Sequence, residues 1–259
     1  MILEGKTLVI SGVGTGLGKR VAEAALRDGA KVFLGARTES TLSSVASDLD
    51  STGERVGYAT VDIRDRERCE GFAGAAVERF GRIDALVNLA ALDTAFGGLE
   101  DTDVDDWRPV FETNVFGSLQ LTKAFVPHFR SAGGGSIVFI GAQAAYKPTT
   151  PQMAYASSKA ALRTATFYLA GELGGDGIRV NTVVPTWMWG APVEGYLQAQ
   201  SAERGVPVET LVAEITAGMA LDEIPTEADV AESVIFFASD RARMITGQSL
   251  LVNAGELLV

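Results

Sequence analysis

Short runs of apolar, β-branched residues alternate with longer segments in which apolar positions recur every three or four residues. Thr7 to Ile10 predicts a buried strand, followed by a Gly-rich turn and a helix from about Gly16 to Asp28. Lys31 to Leu34 predicts a second strand, then a helix from about Ser40 to Leu49. Val56 to Val61, Ala85 to Asn88, Ser136 to Ile140 and Arg179 to Val184 continue the pattern, and Ser249 to Val252 ends it. These strands are apolar throughout rather than alternating, which implies a sheet covered on both faces. Strands separated by helices of about 10 to 15 residues imply βαβ units and a parallel sheet. The expected class is α/β, a doubly wound parallel sheet of about seven strands flanked by helices.

No linker, low-complexity tract or repeat of fixed period interrupts residues 1–259, so one domain is expected. The least regular stretch, about 186–225, carries Trp187, Trp189, Pro192, Pro207 and Pro225 around short expected helices. It follows a strand, where open α/β sheets place their ligand crevice, and is expected to act as a lid over a substrate.

Composition narrows the function. With 47% hydrophobic and 21% charged positions, the 259 residues suit a globular domain with a sizeable core. Lys and Arg number 22 against 33 Asp and Glu, a net charge of -11, which argues against nucleic acid and anionic membranes as partners. A lone cysteine, Cys69, excludes an intramolecular disulfide and suits a reducing compartment. A lone histidine, His128, is expected near the end of a helix and makes a zinc site an unpromising reading, so no metal is expected. No secretory signal and no run of 18 apolar residues is visible, and a soluble, cytoplasmic protein is expected.

The first strand runs into Ser11-Gly-Val-Gly-Thr-Gly-Leu-Gly18, whose spacing is Gly12-x-x-x-Gly16-x-Gly18 rather than G-x-G-x-x-G. Between a strand and a helix, such a turn lets the backbone approach a pyrophosphate and aims a helix N-terminus at the anion, the Rossmann-type arrangement. The second strand ends in Gly35-Ala36-Arg37-Thr38. No acid stands there to accept from ribose hydroxyls, and Arg37 offers a phosphate two donors, which favours NADP(H). Arg37 as a solvated loop residue, with NAD(H) accepted, is the alternative.

Tyr155-Ala-Ser-Ser-Lys159 stands at the start of an Ala-rich helix. Positions i and i+4 share a helix face, so phenol and ammonium point into one crevice, where the cation is expected to lower the phenol's pKa. With the glycine loop, this chain resembles the short-chain dehydrogenase/reductase family along essentially its whole length. The resemblance makes Tyr155 the acid/base, Lys159 its ribose-binding partner, and Asn114 of Thr113-Asn-Val115 the helix-kinking residue of a proton relay. It assigns Gly12, Thr15, Gly16, Leu17, Gly18, Arg37, Thr38, Asp62, Ile63, Asn88, Ala90, Pro185, Thr186 and Met188 to cofactor binding, together with Tyr155 and Lys159. Asn88-Leu-Ala-Ala91 looks like the family's Asn-Asn-Ala-Gly turn, with Leu89 and Ala91 departing from it. Asn181-Thr-Val-Val-Pro185 and Ile245 to Gly255 are similar to the nicotinamide-facing segment and the last strand. The implied activity is ketone–alcohol interconversion on a small molecule by a homo-oligomer, dimer or tetramer.

Three positions depart from the family. Ala142 stands where a serine usually meets the substrate oxygen, Thr186 replaces a glycine, and Gly190 replaces a threonine. Losing one such donor costs on the order of a hundred- to a thousandfold in rate, so a slow carbonyl reductase is expected unless the Gln143 amide turns inward. Reduction of an imine or other non-carbonyl group, and a nucleotide-binding homologue with impaired turnover, are the alternatives. Gln143, Tyr146, Met153, Trp187, Trp189 and Tyr196 are expected to line a roomy, apolar substrate pocket.

Overall fold

The computed structural model describes residues 1–148 and 151–258. Seven strands form one sheet in the order β3-β2-β1-β4-β5-β6-β7, and every neighbouring pair is parallel. They are β1 (Thr7–Ser11), β2 (Lys31–Ala36), β3 (Val56–Thr60), β4 (Ala85–Asn88), β5 (Gly135–Ile140), β6 (Ile178–Pro185) and β7 (Ser249–Val252). Each expected strand is present within a residue or two of its expected bounds.

Successive side chains on these strands face opposite layers. Leu8, Ile10, Val32, Leu34, Val138 and Ile140 pack on one side with α1 (Leu17–Arg27), α2 (Glu39–Leu49) and α9 (Glu227–Ala238). Val9, Phe33, Leu86, Ile137 and Phe139 pack on the other with α3 (Arg66–Phe80), α5 (Ser118–Ala132) and α6 (Met153–Leu173). Both faces of the central strands are therefore dry, which is why their sequences carry no polar alternation, while the edge strands β3 and β7 leave Tyr58 and Leu250 exposed.

Chain order reverses beside β1, between β2 on one flank and β4 on the other. The loops leaving those strands diverge there and open a crevice at their C-terminal ends. Short α4 (Arg108–Phe111) continues into a π-helical turn, Glu112–Gly117, before α5. The acidic stretch before it caps locally, with Asp103 accepting from the Asp105 amide at 2.9 Å. His128 lies in the last turns of α5, its ring edge-on to Phe125 at 6.4 Å. The irregular stretch contains α7 (Ala191–Arg204) and α8 (Val208–Thr216). No helix among the described residues is long and apolar enough to cross a membrane.

Candidate active site

The glycine loop is stapled across the sheet, with Gly12 and Val13 amides donating to the Gly35 carbonyl at 2.8 and 3.0 Å. Gly12 has φ +79°, and a Cβ there would sit 2.3 Å from the Ala90 backbone nitrogen. Only glycine fits that conformation and that approach. Gly16 precedes α1 and no side chain caps the helix; the Lys19 amide bonds back to the Gly16 carbonyl at 2.9 Å, while the Leu17 and Gly18 amides meet no acceptor among the described residues. Gly14 has open space beside it.

A cavity of about 360 Å³ continues from this loop, lined by Gly12, Gly14, Arg37, Thr38, Asp62, Ile63 and Ala90 among others. Arg37 is exposed at the end of β2 and forms no ion pair among the described residues. Asp62 is engaged by Arg64, Nη2 to Oδ2 2.5 Å, and that guanidinium, with its backbone amide and nearby Arg37, holds the carboxyl down to about 2. Arg64 and Thr41 also line the cavity; the sequence reading named neither, although Arg64 stands two residues past Asp62.

Tyr155 and Lys159 share one face of α6, with Nζ 5.5 Å from the phenol ring centre. The Lys159 ammonium donates to the Ile140 carbonyl at 2.7 Å, tying α6 to the end of β5. Burial pushes the lysine down to about 8, opposed by the charge of Asp93. The phenol moves the other way from expectation. Burial raises the Tyr155 pKa, and the Asp93 carboxylate raises it further. Desolvation of the phenolate outweighs a cation seated beside the ring rather than at the oxygen. Asp93 escaped the sequence reading, its only signal being its place five residues after Asn88.

Asn114 is fully buried in the π-helical turn, and its side chain does more than a kink requires. Its Oδ1 accepts from the Leu92 amide at 2.7 Å, and its Nδ2 donates to the Leu92 carbonyl and to Ser158 Oγ, each at 2.9 Å. Ser158 in turn donates to the Tyr155 carbonyl at 2.7 Å, so one amide joins the β4 loop to α6. Asn88 is also buried and donates to Thr122 Oγ1 at 3.3 Å.

Ala142 is buried and extended, and brings no hydroxyl to the crevice. Gln143 begins a short 3-10 turn packed on α6, and its Oε1 accepts from Asn253 Nδ2 at 2.7 Å. Thr186 donates its hydroxyl to Glu256, which also meets Lys147 at 3.5 Å. Asn253 and Glu256 have no local sequence signal, being about 70 to 110 residues from their partners. Trp187 packs on Tyr196 with ring centres 5.7 Å apart, while the Trp189 amide donates to the Pro225 carbonyl at 2.8 Å. Met188 packs against the α1/α9 core, Met153 is exposed at the start of α6, and Tyr146 lies under the Arg163 guanidinium at 4.5 Å. The tyrosine is thus already engaged by a cation. Glu227 sits where the glycine loop meets the start of α7: Cβ atoms on Gly16 or Gly190 would each lie 2.6 Å from its Oε1.

A family model described as Enoyl-(Acyl carrier protein) reductase matches residues 12–256. The 2,5-dichloro-2,5-cyclohexadiene-1,4-diol dehydrogenase LinX of Sphingobium indicum is 30% identical over 253 residues, 98% of this chain and 96% of that protein. This chain belongs to the short-chain dehydrogenase/reductase family. D-threitol dehydrogenase of Mycolicibacterium smegmatis is a further relative, 30% identical over 98% of this chain and 93% of its own. A solved short-chain type dehydrogenase/reductase from Mycobacterium ulcerans superposes with a TM-score of 0.89 at 27% identity, covering 99% of this chain and 91% of that one. Members act on alcohols and ketones with a nicotinamide cofactor, NAD(H) or NADP(H). The uncapped α1 N-terminus, the open space at Gly14 and the adjoining cavity fit such a dinucleotide.

Proposed function

We propose that the chain prefers NADP(H) and interconverts a ketone and a secondary alcohol on a bulky, mainly apolar substrate. The observation that carries the cofactor assignment is the β2 end of the cavity, where Ala36 leaves no carboxylate and Arg37 stands unpaired. A 2′-phosphate gains a charged partner there, and position 36 offers no acid to accept from a 2′-hydroxyl.

When bound, the nicotinamide supplies or accepts the hydride. Tyr155 holds the proton that passes to the carbonyl oxygen in reduction, and a raised phenol pKa suits that donor direction. Lys159 binds the ribose through its ammonium and steadies α6 through Ile140. Asn114 keeps the β4 loop and the tyrosine's helix in register. The first turn of α1 and the glycines Gly12, Gly16 and Gly18, with Thr15 and Leu17, receive the pyrophosphate. Asp62, Ile63, Asn88 and Ala90 flank the adenosine half, while Pro185, Thr186 and Met188 flank the nicotinamide half.

The substrate assignment rests on Trp187, Trp189 and Tyr196 in the 186–225 lid, with Met153 and Tyr146 at the mouth. Aromatic covers gain by burying apolar ligand surface at about 25 cal/mol per Å². The alicyclic diol named for LinX supports this reading, and the polyol named for the threitol enzyme is the competing case. Following reduced-cofactor absorbance over alicyclic ketones and over short polar ketones tests it. A higher kcat/KM on the alicyclic set, abolished in Tyr155→Phe with cofactor binding kept, is the expected result. Preference for short polar substrates refutes it.

Exposed Phe116, Phe167 and Tyr168 lie along the π-helical turn and α6 and support a homo-oligomer, dimer or tetramer, built on that face. The free, buried Cys69, its thiol pushed up to about 12 by burial, supports a cytoplasmic location.

A further inference from the structure

Glu227 is the first residue of α9, and its carboxyl packs against two glycine backbones. A Cβ added to Gly16 would lie 2.6 Å from its Oε1, and one added to Gly190 would lie 2.6 Å from the same oxygen and 2.9 Å from its Cδ. Gly16 is the N-cap of α1 and Gly190 the N-cap of α7, and no side chain caps either helix. The N-termini of α1, α7 and α9 therefore meet around one carboxyl group. The junction is fastened from the other side as well, since the Trp189 amide donates to the Pro225 carbonyl at 2.8 Å and Thr226 caps α9 in a reciprocal pair with Asp229. Held between two backbones, with its side chain 13% exposed, Glu227 has little room to swing aside.

Few charged groups face it. Arg20 of α1 brings its Nε within 4.0 Å of Oε2 and is itself engaged by Glu23 at 2.8 Å. Glu194 of α7 adds negative charge, and Asp229 of α9 is turned back to Thr226. Burial pushes the Glu227 carboxyl above the ordinary carboxylate range, with Arg20 opposing the rise and Glu194 adding to it.

The same carboxyl borders the first turn of α1, whose Leu17 and Gly18 amides meet no acceptor among the described residues. Such a turn draws the diphosphate of a nicotinamide dinucleotide. A carboxylate against the Gly16 backbone then stands beside a second anion in partly buried surroundings, where like charges repel more strongly than in water. With little room to move, the side chain relieves that repulsion by becoming neutral.

We propose that Glu227 makes dinucleotide binding proton-linked, its carboxylate taking up a proton from solvent when the diphosphate settles on α1. The proton adds to a carboxylate oxygen to give the neutral acid and is released when the dinucleotide leaves. Affinity therefore rises as pH falls, until Glu227 is protonated in the free chain too. The inference rests on the first turn of α1 as the diphosphate seat, and holds for NAD(H) and NADP(H) alike.

The test is calorimetric titration with NAD+, which carries no titrating 2′-phosphate, between about pH 5 and 7, below the range in which Lys159 loses its proton. Repeating it in buffers of different ionisation enthalpy gives the proton uptake. The wild type should take up a proton on binding and lose about three- to tenfold in affinity as pH rises across that range. Glu227→Gln should show no uptake, bind NAD+ about three- to tenfold tighter than the wild type at the upper end, and match it at the lower end. Glu227→Ala should likewise lose the uptake, and melting temperatures confirm that each variant is folded. Adenosine, which has no diphosphate, should bind the wild type and Glu227→Gln equally. Proton uptake that survives in the folded variants, a wild-type affinity independent of pH, or an equal gain for adenosine and NAD+ overturns the proposal and leaves the diphosphate seat standing. NAD+ that binds no more tightly than adenosine overturns the seat as well.

Discussion

Replacing Arg37 by alanine separates the two cofactors. Arg37 follows β2 on the wall of the 360 Å³ cavity, and Asp62, which lines the same cavity, is already paired with Arg64 at 2.5 Å. Arg37 forms no ion pair among the described residues that would have to break before it meets a phosphate, so the whole of a charge-assisted contact is available to binding. Such a contact contributes about 1.5–3 kcal/mol, and exposure of the arginine to solvent places it at the lower end. At about 1.4 kcal/mol per decade, Arg37→Ala should weaken NADPH binding ten- to thirtyfold and leave NADH within about twofold. The assay is a fluorescence titration of both reduced cofactors at fixed ionic strength, because screening weakens an exposed pair. The complementary change, Ala36→Asp, places an acceptor for the ribose hydroxyls beside a group that repels phosphate, and should move the preference toward NADH. If Arg37→Ala leaves the ratio of the two dissociation constants unchanged, the 2′-phosphate does not lie there and the reasoning fails.

With the Lys159 ammonium held near 8 by burial, NADPH affinity should weaken as pH rises through about 8. Lys159→Arg should abolish that limb in the same titration. Because the folded lysine binds its proton less tightly than the unfolded one at 10.5, stability should rise between about pH 8 and 10.5, a gain absent from the melting curve of Lys159→Met. Gly12→Ala combines φ +79° with a 2.3 Å approach to Ala90, so it should lower stability by about 1–3 kcal/mol in denaturant unfolding and abolish cofactor binding. Trp187→Ala removes the ring packed at a tilt on Tyr196, and KM for an alicyclic ketone should rise roughly tenfold while the NADPH dissociation constant holds.

The sheet was legible because its strands bury both faces. A segment dry on each side must be apolar at every position, and runs such as Leu8-Val-Ile10 announce that without any knowledge of neighbours. The glycine loop and the Tyr155–Lys159 pair were legible for a related reason: each is local, with its members within seven residues, so chain geometry alone puts them together. The strengths and directions of the interactions were not legible. The cation four residues from Tyr155 predicts a lowered phenol pKa, yet burial and Asp93 raise it, because desolvation depends on everything packed around the ring. Asn253, 110 residues from Gln143, and Glu256, 70 residues from Thr186, reach the crevice only because β7 lies beside β6, with β5 on its other flank. Local pattern determined which elements form and where the reacting groups sit along the chain. Strand order decided which distant side chains surround them, since contacts across a parallel sheet follow topology and leave no periodic trace in sequence.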